Sequence, residues 1–220
     1  MLRAHVLVEG QTEETIVKQV FAPYYEKRQV YVSCSLLTTK RPAGGQKHKG
    51  GVTTWARMRD DIGRLLHDTS LTALTTLVDF YAFPEDAPGM ENRPPGTAYE
   101  KVRYVESALT AAIGDPRFVP HLVLHETEAW VLAACETLTA VMGGPCAELS
   151  QAVEAEGCAE LVNDRPETAP SKRILKVFDR YRKTVDGPLV VSDLGLDGVR
   201  ARCPHAHERL TAFEAAVGIR

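Results

Sequence analysis

The chain has 220 residues, 44% of them apolar and 25% charged, with a formal net charge of −3. That length supports one substantial core, or a core with a small appendage, and the composition excludes disordered and fibrous classes. So small a charge gives no global attraction to nucleic acid, so any such contact must be a local patch. The longest apolar runs are strand-sized and the N-terminus has no secretory h-region, so neither a membrane span nor export is expected. The five cysteines are widely spaced without a Cys-x-x-Cys pair, which argues against zinc and for reduced thiols in the cytoplasm.

Residues 4–8 form an apolar run of the kind buried strands use, followed by Glu9 and Gly10. Ile16, Val17, Val20 and Phe21 then recur at helical spacing across residues 12–27. A second strand is predicted over 30–37 and a loop, "TTKRPAGGQKHKGG", over 38–51. Trp55, Met58, Ile62, Leu65 and Leu66 mark a helix over 52–67, and residues 73–80 a third strand. A second long loop covers 82–96, a helix striped by Val102, Val105, Leu109 and Ile113 covers 97–113, and a fourth strand covers 118–124.

The second half is mostly helical. One helix starts near Glu126, and another runs through "SKRILKVFDRYRK" with Ser171 as its N-cap. "SDLGLDGVRARC" and "PHAHERLTAFEAAVG" form two more, the last with Pro204 near its start. Residues 143–170 carry no clear pattern, and the spacing of His205 and His207 suits surface side chains. Alternating strand and helix implies an α/β fold, a parallel sheet flanked by helices on both faces. The expected organisation is an α/β domain over 1–135 and a helical extension over 136–220 packed on it.

Acids follow three of the predicted strands: Glu9 and Glu13 the first, Asp79 at the end of the third, Glu126 and Glu128 after the fourth. The carboxyl ends of parallel strands share one edge, where open α/β sheets carry their sites. Clustered carboxylates need a compensating cation, and a hard divalent ion with oxygen ligands, Mg²⁺ or Mn²⁺, suits them. Each acid also has an ordinary use, in a helix first turn or a cap. Neither G-x-G-x-x-G nor G-x-x-x-x-G-K-[ST] occurs, so no dinucleotide or P-loop site is expected.

Two basic segments complete the pattern. Lys40, Arg41, Lys47, His48 and Lys49 alternate with glycines in the first long loop, a composition suited to phosphate contacts without base readout and equally to a solvated surface loop. Lys172 and Arg173 fall in the first turn of a helix, where the dipole disfavours cations unless an anion binds between them; the alternative is a basic surface face continued by Lys176, Arg180, Arg182 and Lys183.

"VEGQTEETIV" resembles the opening motif of Toprim domains, and "TLVDFY" resembles the strand carrying their Asp-x-Asp motif, with Tyr81 in place of the second acid. "LHETEAWVLA" and "PSKRI…YRKTVDG…CPHAHERL" resemble a bacterial Toprim-like family, domain of unknown function family 4276, related to RloB-like and OLD-type nucleases. The resemblance spans almost the whole chain and implies a Toprim, Rossmann-like sheet and Mg²⁺-dependent cleavage of DNA or RNA. By motif position it implies Glu9 and Glu13 as catalytic acids with Lys172. Glu9, Asp79, Glu126 and Glu128 would be metal ligands; the basic segments described above, with Lys40, Arg41, Lys47, Lys49 and Arg173, are the expected nucleic-acid contacts. It further implies an effector of phage defence acting with a separate ABC/OLD-type ATPase encoded nearby. The alternatives are a non-catalytic nucleic-acid-binding or regulatory subunit, consistent with Tyr81, and a hydrolase of small phosphoesters.

Overall fold

The computed structural model describes residues 1–38, 54–81, 83–162 and 168–219. The predicted basic loop with Lys40, Arg41, Lys47 and Lys49 therefore lies outside the described residues. The fold is α/β, a five-stranded sheet flanked by helices. Strand β1 (Leu2–Val8) lies between β2 (Val30–Leu36) and β3 (Ala73–Asp79), and β4 (Phe118–Val119) and β5 (Leu122–Val123) both pair with β3. Every pairing is parallel.

The strand predicted over 118–124 is split at Pro120, which has no N–H for the ladder. Thr76 bridges the break: its hydroxyl donates to His121 O and accepts from His121 N–H, both at 2.9 Å.

Alternate residues of each strand face opposite layers, as a pleated strand requires. Ala4, Val6, Val8, Ala73 and Leu77 pack with one set of helices, and Leu7, Leu74 and Val78 with the other. The second layer is α3 (Trp55–Leu66) and α4 (Ala98–Ile113). A capping box starts α4: Thr97 Oγ1 accepts from Glu100 N–H at 3.2 Å, and Glu100 Oε2 accepts from Thr97 N–H at 2.7 Å.

The first layer begins with α1 (Gln11–Ile16), a π-helical stretch (Val17–Phe21) and α2 (Ala22–Glu26) as one continuous rod. The widened stretch precedes Pro23, which cannot donate to the carbonyl four residues back and crowds it. It continues with α5 (Glu128–Leu132), α6 (Cys135–Met142), α7 (Ala147–Glu156), a 3₁₀ turn (Ala159–Leu161), α8 (Pro170–Val177), α9 (Asp186–Arg202) and α10 (Pro204–Val217). Residues of the predicted extension share one core cluster with β1, β2 and β3, and α10 packs across β1, β3 and β4. Aromatic rings tie the layer together, with Phe21–Trp130 centroids 6.4 Å apart and Tyr25–Phe213 5.5 Å.

Several helix limits differ from the sequence reading. Helix α8 ends at Val177 instead of running through Lys183. Helix α9 starts at Asp186, not Ser192, and is kinked at Gly195, whose φ of 68° suits glycine. Helix α7 lies inside the stretch that showed no pattern; Leu149 is its buried residue, too sparse a stripe to read.

His205 is fully buried, contrary to its reading as a surface side chain. Its Nε2 lies 3.1 Å from Glu106 Oε2, and Glu106 Oε1 accepts from Leu122 N–H at 2.9 Å, closing the sheet edge at β5. Glu160 caps α10 from a distance, accepting from His205 N–H at 2.8 Å and Ala206 N–H at 3.0 Å. Among the described residues no helix is long and apolar enough to cross a membrane, and all five cysteines are free.

Removing the Glu160 carboxylate leaves two buried amides unpaired. Glu160→Ala is expected to lower stability by about 1–3 kcal/mol, and Glu160→Gln by less, because one acceptor oxygen remains. Urea denaturation midpoints check both, and an unchanged midpoint for Glu160→Ala would assign the capping elsewhere.

Candidate functional site

Strand register assembles the site. Val8 pairs with Leu77 and Asp79 with Val123, so the chain leaves β1, β3 and β5 at one level of the sheet. Glu9 extends the ladder by one step, donating its N–H to Leu77 O at 3.3 Å. Its carboxylate folds back, and Oε2 accepts from Asp79 N–H at 3.2 Å. After β5 the chain passes through His125, whose φ of 66° is a left-handed conformation uncommon outside glycine. This turn sends Thr127 back towards β3.

Thr127 is the hub. Its N–H donates to Asp79 Oδ1 at 2.9 Å, and its hydroxyl lies 2.8 Å from Glu13 Oε1 and 2.9 Å from Asp79 Oδ1. A hydroxyl has one hydrogen, so both contacts are fully satisfied only when one carboxyl carries a proton. Glu13 is buried in the first turn of α1, where the helix dipole favours an anion. Gly10 makes room for it: a Cβ there would lie 3.1 Å from Glu13 Oε2.

The counter-charge comes from the C-terminal half. Lys183 Nζ lies 2.8 Å from Glu128 Oε2 and 3.7 Å from Asp79 Oδ2. The Glu128 contact is an ion pair outside hydrogen-bond angles, and Glu128 Oε1 is buried with no hydrogen-bond partner. Lys183 sits on a turn between α8 and α9, clasped by Asp186, which accepts from Arg182 N–H at 2.7 Å and pairs with its guanidinium at 2.9 Å. Tyr181 anchors the same turn in the core. Gly187 is required beneath it, because a Cβ there would lie 2.7 Å from the Tyr181 hydroxyl.

Burial dominates the electrostatics. It raises Glu9 to about 7, opposed by the Asp79 amide and reinforced by Glu13. It raises Glu128 to about 7 against the pull of Lys183. Burial also lifts Asp79 well above the carboxylate range despite Lys183, helped by Glu13, Glu9 and Glu128. Burial alone would lower Lys183; the Glu128 and Asp79 carboxylates override it and raise it.

Glu9, Glu13, Asp79 and Glu128 are thus brought together, whereas other residues singled out by sequence are placed differently. Glu126 turns one oxygen, Oε2, to Ser171 N–H at 3.0 Å, joining the site loop to α8. Ser171 is therefore not the N-cap; Ala169 holds that position and Pro170 opens the helix. Lys172 is exposed and forms no ion pair among the described residues, and Arg173 Nε donates to Thr168 O at 2.9 Å. Tyr81, in place of the second acid, is 41% exposed. Sequence reasoning missed Thr127 and Lys183. The glutamates flanking Thr127 marked its position, whereas Lys183 was hidden in what read as a helical basic stripe.

The donor set fits a hard divalent cation in its chemistry: carboxylate oxygens, one of them buried and unpartnered at Glu128. Among the described residues no three or more His, Cys, Asp or Glu side chains are grouped so that they could hold a metal ion together. Mg²⁺ does not require such a group, since it takes one or two carboxylates and keeps its waters.

The raised carboxyl groups have a signature in stability. Glu9 moves from 4.5 to about 7, so between those values the native state binds more protons than the unfolded chain. Its contribution is complete below pH 4.5 and is lost as pH rises through about 7. Without divalent cations, the Tm of wild type minus that of Glu9→Gln should fall across this window. The subtraction removes His121 and His125, both lowered by burial, which act in the opposite sense. A flat difference would place Glu9 in water.

No curated protein sequence matches the chain. The C-terminal region of the Burkholderia pseudomallei OLD protein aligns over 99% of this chain and 100% of its own, with 14% identity and a TM-score of 0.43. The family model described as Domain of unknown function (DUF4276) matches residues 8–214, which takes in every strand end and the Lys183 turn, and the chain belongs to that family.

Proposed function

We propose that this protein is a Mg²⁺-dependent phosphodiesterase of the Toprim type that cuts DNA or RNA. The observation that carries the reading is the meeting of Glu9, Glu13, Asp79 and Glu128 with Lys183 at the carboxyl edge of a parallel sheet. Asp79 and Glu128, which share the Lys183 ammonium, would hold the ion with its waters, and Glu9 and Glu126 are the further acids of this edge. The chemistry Mg²⁺ supplies when bound is Lewis-acid stabilisation of charge developing on a phosphoryl group. Glu9, whose carboxylate is held by the Asp79 amide, would take the proton from attacking water. Thr127 holds Glu13 and Asp79 in place through its hydroxyl. Lys183 presents positive charge where a phosphate would enter. Lys172 and Arg173, on the adjoining α8, extend that charge along a nucleic-acid strand.

A second reading, a non-catalytic nucleic-acid-binding or regulatory subunit, is favoured by Tyr81 standing exposed where an acid is expected. The setting in phage defence, with a separate ATPase, rests on the sequence resemblance alone.

Cleavage of plasmid, single-stranded DNA and tRNA under Mg²⁺ and Mn²⁺ separates these readings. Glu9→Gln and Asp79→Asn are each expected to lower turnover by about 100-fold or more with the fold intact. Unaltered cleavage by both variants would overturn the assignment. Nucleic-acid binding without cleavage by the wild type would favour the subunit.

A further inference from the structure

We propose that Lys183 is a resident counter-ion that a divalent cation must displace, so that the site is latched by its own lysine until metal arrives. This rests on the metal-dependent reading above and concerns how that site is controlled. Lys183 Nζ stands against Glu128 Oε2 at 2.8 Å and Asp79 Oδ2 at 3.7 Å, the carboxylates assigned to the ion. An ammonium and a dication on the same oxygens repel each other and compete for their lone pairs, so each weakens the other's hold.

The exposures say which partner moves. The Glu128 side chain is 1% exposed and that of Asp79 14%, whereas Lys183 is 40% exposed. The carboxylates are held by packing and by Thr127, and the lysine stem already lies against water. The turn that carries it is fixed by the Arg182–Asp186 clasp and by buried Tyr181, so release needs only the side chain to swing. The latch is also incomplete. Lys183 meets one oxygen of Glu128, and the other remains buried without a hydrogen-bond partner. An unpaired buried carboxylate oxygen is costly, and a cation that satisfies it has a reason to win the exchange.

The test uses Mn²⁺ alone, without nucleic acid, on the full chain. By titration calorimetry, Lys183→Met is expected to bind Mn²⁺ about tenfold more tightly than wild type or better, and its metal-free Tm to fall. Lys183→Arg, which keeps the charge, should leave affinity closer to wild type. A readout on the wild type stays available if the variants fail to fold: acetic anhydride labelling of Lys183, read by peptide mass spectrometry, should rise when Mn²⁺ is added. Mn²⁺ binding by wild type with equal or weaker binding by Lys183→Met overturns the latch and leaves the metal site standing. Labelling that is unchanged or reduced while Mn²⁺ binds does the same. No Mn²⁺ binding by either protein overturns the metal-dependent reading and the latch with it.

Discussion

Like charge buried at the carboxyl edge of a parallel sheet is the constraint around which this molecule is built. Glu9, Glu13, Asp79 and Glu128 are delivered there by strand register and by the loops that follow, and carboxylates withdrawn from water beside one another cannot all stay ionised unaided. The structure answers with a shared hydroxyl at Thr127, backbone amides from Asp79 and Thr127, and the ammonium of Lys183. Each answer depends on a residue whose local geometry is otherwise odd: Gly10 against Glu13, left-handed His125 before Glu126, and Gly187 under Tyr181.

The same constraint explains why the C-terminal half is packed so firmly onto the sheet. Lys183 reaches the carboxylates only if the turn between α8 and α9 is held against the edge, and that turn is placed by helices that share a core with β1, β2 and β3. A second set of buried polar groups holds α10 in turn. Glu160 caps its first amides, and Glu106 joins His205 to the open edge of β5. These acids sit in a closed, hydrogen-bonded setting, in contrast to Glu128, which keeps an unpartnered oxygen. The difference separates acids whose oxygens are satisfied by the fold from one whose buried oxygen is not.

Burial and ion pairing around one edge set the charge state of its acids. Glu9 and Glu128 are both raised to about 7 by burial. Tyr81 removes one acid from the expected pattern, and the loop after β5 brings Thr127 and Glu128 to Asp79, with Glu128 linked to it through Lys183.

The strands were legible because each is an apolar run bounded by turn residues, and the parallel sheet followed from their alternation with helices. Asp79 and the acids after β1 and β5 were legible as well, because an acid at a strand end needs no knowledge of distant contacts. The break at Pro120 lay in the sequence, but its repair did not: Thr76, 45 residues from His121, bridges it with two hydrogen bonds. The burial of His205 was likewise decided by a partner remote in sequence, Glu106, whereas the turn after α8 is held by a local clasp of Asp186 on Arg182, four residues apart. Lys183 is the clearest case. Periodicity placed it on a basic helix face beside Lys172, and nothing local distinguished the two lysines. Only the folded chain separates them, because a counter-ion is defined by the buried charges it meets, and those belong to β3 and α5.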